Sequence, residues 1–134
     1  MSDRSSSQPS AEAAQTILVV DDDPEVCDLV RKMLVGRGYD VLTALSGEEA
    51  LRVCREYAGP IHVLVSDVVM PGINGSEVAR RIKVLRPDIR LLLISGVVQQ
   101  SAIPGGLPYN AGFLSKPFTW NALIQTLRDV LPVR

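Results

Sequence analysis

Cysteine is scarce in this chain. Cys27 and Cys54 are the only two, and each falls inside a helical pattern. They read as reduced, buried thiols of a cytosolic protein, not as the framework of a disulfide-built secreted domain. No apolar run approaches membrane-spanning length, so insertion into a bilayer is not expected. The N-terminal "MSDRSSSQPSAEAAQ" is polar and lacks the apolar centre of a secretory signal. An excess of one charge is also missing. Lys and Arg total 14 and Asp and Glu total 15, a formal net charge of −1. No basic cluster occurs beyond "RRIKVLR", so a general attraction for nucleic acid or acidic membrane is not expected. No internal repeat is visible.

What is present suits one domain: 134 residues, 46% of them hydrophobic. Residues 1–15 read as a flexible tail and residues 16–134 as the folded domain. "TILVV" (Thr16–Val20) is a short β-branched run of the kind buried on both faces of a parallel sheet. Asp23 then suits a helix N-cap and Pro24 a first helical position. Val26, Leu29, Val30, Met33 and Leu34 fall on one face of that helix, which Gly36 or Gly38 ends. "YDVLTAL" predicts a second strand. Ser46 caps a second helix with Ala50, Val53, Cys54 and Tyr57 inward. "IHVLVS" (Ile61–Ser66) predicts strand three, and Val78, Ala79, Ile82 and Leu85 line a third helix closed by Pro87. "RLLLIS" is strand four. The following "GVVQQSAIPGGLPYNA" carries Pro104, Gly105, Gly106 and Pro108, which oppose a helix, so at most a short one is expected near Val98–Ile103. "GFLS" is strand five, and Thr119 caps a last helix. Alternating strands and helices give an α/β fold with a doubly wound parallel sheet.

Ligands of such sheets bind beyond the carboxyl ends of the strands. Asp21 and Asp22 end strand one, Asp67 ends strand three, Ser95 ends strand four, and Lys116 follows strand five. If strands one and three are neighbours, three carboxylates meet across roughly 5 Å. They repel unless one holds a proton or a cation sits among them. Mg2+, a hard cation that takes oxygen ligands and keeps several waters, answers this, and Mn2+ or Ca2+ could substitute. A carboxylate beside a divalent cation and an ammonium can act as nucleophile toward a phosphoryl group.

"ILVVDDDP", "VLVSDVVMPGING", "LLLISG" and "FLSKPF", in that order and spacing over about residues 16–131, resemble the receiver domain of two-component response regulators. The resemblance implies a flavodoxin-like five-stranded sheet of order 2-1-3-4-5. It implies that Asp67 accepts a phosphoryl group from a phosphohistidine on a sensor histidine kinase or phosphotransfer protein. Asp22 would bind Mg2+ directly, Asp21 directly or through water, and the backbone carbonyl of Val69 would be a further ligand. Lys116 would pair with Asp67 and then with phosphate, and Lys116–Pro117 would be cis. Ser95 would be the switch hydroxyl, and Phe113 the aromatic whose rotamer follows it. Phe113 also reads as plain strand packing.

Departures from the family pattern carry their own expectations. Asn74 stands where the loop often has Asp. Phe113 lacks a hydroxyl, so its two states would differ by packing alone. The broken segment before strand five puts dimerisation through that face in doubt, giving a monomer or weak dimer. It resembles receivers fused to hybrid histidine kinases, or stand-alone relatives. Val69 and Val97 flank the expected water path and are apolar, which predicts slow self-dephosphorylation. His62 reads as structural, so the chain is not its own phosphodonor. Trp120 reads as packing or as meeting a partner. Output is expected through protein contact, or through a domain beyond this chain. Two rival readings are a hydrolase with an aspartate nucleophile, which wants a second acid where Val69 stands, and an interaction module that is never phosphorylated.

Overall fold

In the computed structural model, residues 14–96 and 111–131 are described. The elements run β1 (Thr16–Val20), α1 (Pro24–Gly36), β2 (Asp40–Ala44), α2 (Gly47–Glu56), β3 (Val63–Asp67), α3 (Gly75–Leu85), β4 (Arg90–Ser95), β5 (Gly112–Ser115) and α4 (Trp120–Val130). The sheet has five strands in the order β2-β1-β3-β4-β5, all pairs parallel. This is the flavodoxin-like order, with the reversal of winding between β1 and β3. The expected shortened helix between β4 and β5, the tail over residues 1–13 and Val97 lie outside the described residues.

Side chains alternate across each strand and so build two cores. Ile17, Val19, Val63, Val65, Leu92 and Ile94 face Val30, Leu34, Leu123 and Leu127 of α1 and α4. Leu18, Val20, Leu64, Leu91 and Leu93 face Ala50, Cys54, Val78 and Ile82 of α2 and α3. Burial on both faces explains why the central strands β1, β3 and β4 are largely apolar, while the edge strands β2 and β5 are half-exposed.

Each helix starts where its capping residue predicts. Asp23 accepts from the Glu25 amide at 2.9 Å with Pro24 at the first helical position. Ser46 accepts from Glu49 N–H at 3.0 Å, while the Glu49 carboxylate reaches back to Leu45 N–H at 2.6 Å. Asn74 and Thr119 cap α3 and α4 in the same way.

Several boundaries and faces differ from the sequence expectation. β3 starts at Val63, because Ile61 and His62 serve the strand entry. The His62 Nδ1 accepts from Thr16 N–H at 2.8 Å, which supports a structural reading of this histidine. β3 also extends through Asp67, so the acid is part of the strand and not a residue beyond it. In α1, Leu29 is 56% exposed and Cys27 is buried instead; Leu85 of α3 is also exposed, and Leu51 of α2 is buried although it lies outside the expected stripe. The helix stripes are rotated slightly from the apolar count, since small Cys27 fits where α1 meets the strand ends.

The rim opposite the acids is closed by Arg86. Its guanidinium donates to the carbonyls of Cys54 (3.0 Å), Gly59 (2.7 Å) and Tyr57 (2.6 Å). These include orphan carbonyls at the end of α2, so α3 caps its neighbour.

Candidate functional site

The carboxyl ends of β1 and β3 are adjacent, with Val20 opposite Ser66 in the ladder. The chain leaves β1 as Asp21-Asp22 and β3 ends on Asp67, so three acids from two strands converge. One oxygen from each of Asp21, Asp22 and Asp67 lies within 4.8 Å of the others. Asp21 and Asp67 are buried, each 8% exposed, and Asp22 is exposed.

Lys116 reaches this cluster from the end of β5. Its Nζ lies 3.0 Å from Asp67 Oδ2. The amide of Lys116 donates to Ser95 O at 2.9 Å, which fixes the lysine backbone to the end of β4. The Lys116–Pro117 peptide is cis, as the resemblance implies. Ser95 is buried at the end of β4, so the four strand ends deliver the groups the sequence points to. Phe113 stands apart from them. It is half-buried beside Leu93 and packs on the α2/α3 core. Val69 is 63% exposed on the loop after β3, and its side chain has no polar atom to offer a neighbouring water.

Asp21 is the most constrained of the acids. Its amide donates to Ala44 O at 3.2 Å, and its Oδ1 accepts from the Asp23 amide at 2.9 Å. Burial pushes its carboxyl above the usual value of 3.8, with the nearby Asp67 and Asp22 charges adding to the rise. The Asp23 hydrogen bond and Lys116 oppose it. Asp21, Asp67 and Lys116 also line an open pocket of about 570 Å³ whose other walls are apolar, among them Val26, Val30 and Phe118.

Three carboxylates facing a single ammonium form a poor resting arrangement for the protein alone. The donor set is all oxygen, partly solvated and close-spaced, which suits a hard divalent cation such as Mg2+ and no soft metal. Chemically, the cluster can hold such an ion against Asp67 while Lys116 holds the other side of the same carboxylate.

Sequence reasoning missed two supports of this site. Gly75, the first residue of α3, lies directly against the Asp67 carbonyl, and its amide donates to Val68 O at 2.7 Å. The glycine in "GING" is the only signal for that approach. Cys27 Sγ donates to the Asp21 carbonyl at 3.3 Å. A cysteine in a helical pattern carries no signal for such a contact.

Comparison with known proteins agrees with this geometry. Residues 17–128 match the family model of the response regulator receiver domain. The sensor kinase CckA of Brucella abortus is 38% identical over 118 residues, 87% of this chain but only 12% of that protein's length. The response regulator receiver protein CpdR of the same organism is 32% identical over 116 residues, covering 86% of this chain and 95% of CpdR. Among solved structures, the response regulator TrrA of Thermotoga maritima in complex with Mg2+–BeF has 29% identity and a TM-score of 0.72, with coverage of 87% of this chain and 99% of that one. No described helix is long and apolar enough to cross a membrane. The sheet order, the acids gathered at its rim and the match over nearly all of the folded chain lead to one assignment: this chain belongs to the response regulator receiver domain family of two-component systems.

Proposed function

We propose that this chain is a phosphoacceptor switch that takes a phosphoryl group onto Asp67 from a phosphohistidine of a sensor histidine kinase or phosphotransfer protein. The observation that carries this reading is the Lys116–Asp67 contact of 3.0 Å, made across 49 positions and set inside a triad of carboxylates. An Asp67 oxygen attacks phosphorus, the P–N bond to the donor imidazole breaks, and its electron pair remains on the ring nitrogen. Asp67 is a phosphorylated residue in this scheme, and the chain is not a multiple-turnover enzyme.

Asp21, Asp22, Asp67 and the Val69 backbone carbonyl are the residues that would hold Mg2+. When bound, that ion neutralises the acids and the phosphoryl oxygens. The TrrA complex with Mg2+–BeF supports this choice of ion. Lys116 pairs with Asp67 before transfer and with a phosphoryl oxygen after it. Ser95 donates its hydroxyl to the same group, and Phe113 follows by repacking on the α2/α3 core. The result is a changed surface for a downstream protein. Because Val69 offers no polar side chain, the phosphoryl group is long-lived.

Incubation with acetyl phosphate and Mg2+ tests this reading. One alkali-labile phosphoryl group per chain is expected, absent without Mg2+ and absent in Asp67→Asn. Continuous release of phosphate would instead indicate a hydrolase, and no incorporation would indicate a module that acts by binding alone.

A further inference from the structure

The turn from β1 into α1 holds Asp21 by more than its own strand. Cys27 lies in the second turn of α1 and is 3% exposed. Its Sγ is 3.3 Å from the Asp21 carbonyl oxygen and 3.6 Å from the Ala44 carbonyl oxygen. Ala44 is also the acceptor of the Asp21 amide, at 3.2 Å. The single S–H therefore lies between the ends of β1 and β2 under the acid cluster, nearer the Asp21 carbonyl.

We propose that Cys27 is a positioning residue for the divalent cation: its thiol fixes the Asp21 peptide, so that the Asp21 carboxylate meets the ion at the right height. The inference rests on the reading of Asp21, Asp22 and Asp67 as cation ligands. The Asp21 amide is held by β2 and its Oδ1 by the Asp23 amide, and the thiol holds the Asp21 carbonyl, which belongs to the following Asp21–Asp22 peptide. Without the thiol, a carbonyl next to two buried or converging acids must turn to find a donor, and the carboxylate turns with it. Losing an outer contact that orients a ligand typically costs about 10–100-fold in metal affinity or activity. A thiol is a weak donor, so the effect here is expected to fall at or below the bottom of that range.

The experiment is a calorimetric titration of the full chain with MgCl2, for wild type, Cys27→Ser, Cys27→Ala and Cys27→Val, with thermal unfolding recorded for each. Cys27→Ser keeps a donor and is expected to bind Mg2+ within about twofold of wild type. Cys27→Ala and Cys27→Val lose the donor and are expected to bind about three- to tenfold more weakly. This loss should not follow unfolding temperature, since Val refills the space and Ala does not. Equal affinity in all four proteins would overturn the inference while leaving the proposed function intact. So would a loss in Cys27→Ser as large as in Cys27→Ala, which would mark sulfur packing as the cause. If the wild-type protein takes up no Mg2+, both the inference and the reading of the acid cluster fall.

Discussion

Gly75 sits where no other residue fits beside Asp67. A Cβ on Gly75 would overlap the carbonyl oxygen of Asp67 and come within 2.8 Å of Val68 Cα. Both obstacles are backbone at the end of a buried strand, so neither can rotate away. Gly75→Ala is expected to destabilise the fold by about 1–3 kcal/mol, the usual cost of overfilling a packed interior. It should also push the β3 end and slow phosphorylation of the molecules that do fold. Urea unfolding and the rate of acetyl phosphate incorporation check the two effects separately.

Asp21→Asn should make the metal-free protein more stable. The substitution removes one of three clustered charges but keeps an oxygen for the Asp23 amide. A gain of about 1 kcal/mol is expected at pH 7 without divalent ions. Adding Mg2+ should stabilise the wild type and leave the variant nearly unchanged. Thermal unfolding of both proteins, with and without MgCl2, measures this exchange of stability for binding.

Arg86→Met keeps much of the side-chain length and deletes all three bonds to the α2 end. A loss of about 2–3 kcal/mol is expected from the unpaired carbonyls of Cys54, Tyr57 and Gly59. Phosphorylation of the folded fraction should be unaffected, because Arg86 lies at the opposite rim from Asp67. Chemical denaturation followed by phosphoryl incorporation at low temperature distinguishes the two.

The Cys54 thiol is pushed above its ordinary value of 9.0 by burial, against an opposing pull from Arg86 and Arg55. The folded state thus holds this proton more tightly than the unfolded chain does. Its contribution to stability is complete below pH 9.0 and is lost as pH rises through the raised folded value. Stability should fall from pH 8 to pH 10 more steeply in wild type than in Cys54→Val. Native alkylation of Cys54 should be slow and should accelerate in urea, as thiol labelling across a denaturant series will report.

Val69→Asn places an amide on the exposed loop beside Asp67. A single new hydrogen bond to the attacking water, worth about 1.4 kcal/mol, corresponds to roughly tenfold faster phosphoryl loss. The decay of the phosphorylated protein after removal of acetyl phosphate provides the measurement. An unchanged lifetime would remove Val69 from the account of slow hydrolysis.

Much of this architecture is legible because strands buried on both faces write themselves as short apolar runs. Thr16–Val20 and Arg90–Ser95 match their predicted spans for that reason, and the half-exposed edge strand Gly112–Ser115 matches its span as well. The caps Asp23, Ser46 and Thr119 were equally readable, since a short polar side chain before a periodic segment has one main use. The convergence of Asp21, Asp22, Asp67 and Lys116 follows once the strands are parallel. What escaped the sequence are contacts whose partners lie far along the chain or carry no type signal. Arg86 meets α2 from 27 to 32 positions away, and Cys27 meets Asp21 through a sulfur that reads as ordinary core. Leu29 misled the helix face because apolar identity alone does not fix a helix's rotation.

The Arg86 fastening and the His62–Thr16 bond lie at the same end of the sheet, remote from the acids. The molecule therefore has a base fastened through backbone carbonyls and a crown whose ties run through its charged groups, Lys116 to Asp67 and the Asp23 amide to Asp21. Local opening should begin at the crown, where a charge change is felt, and die out toward the base. A signal received at Asp67 would then spread sideways over the loops of one end without loosening the domain as a whole.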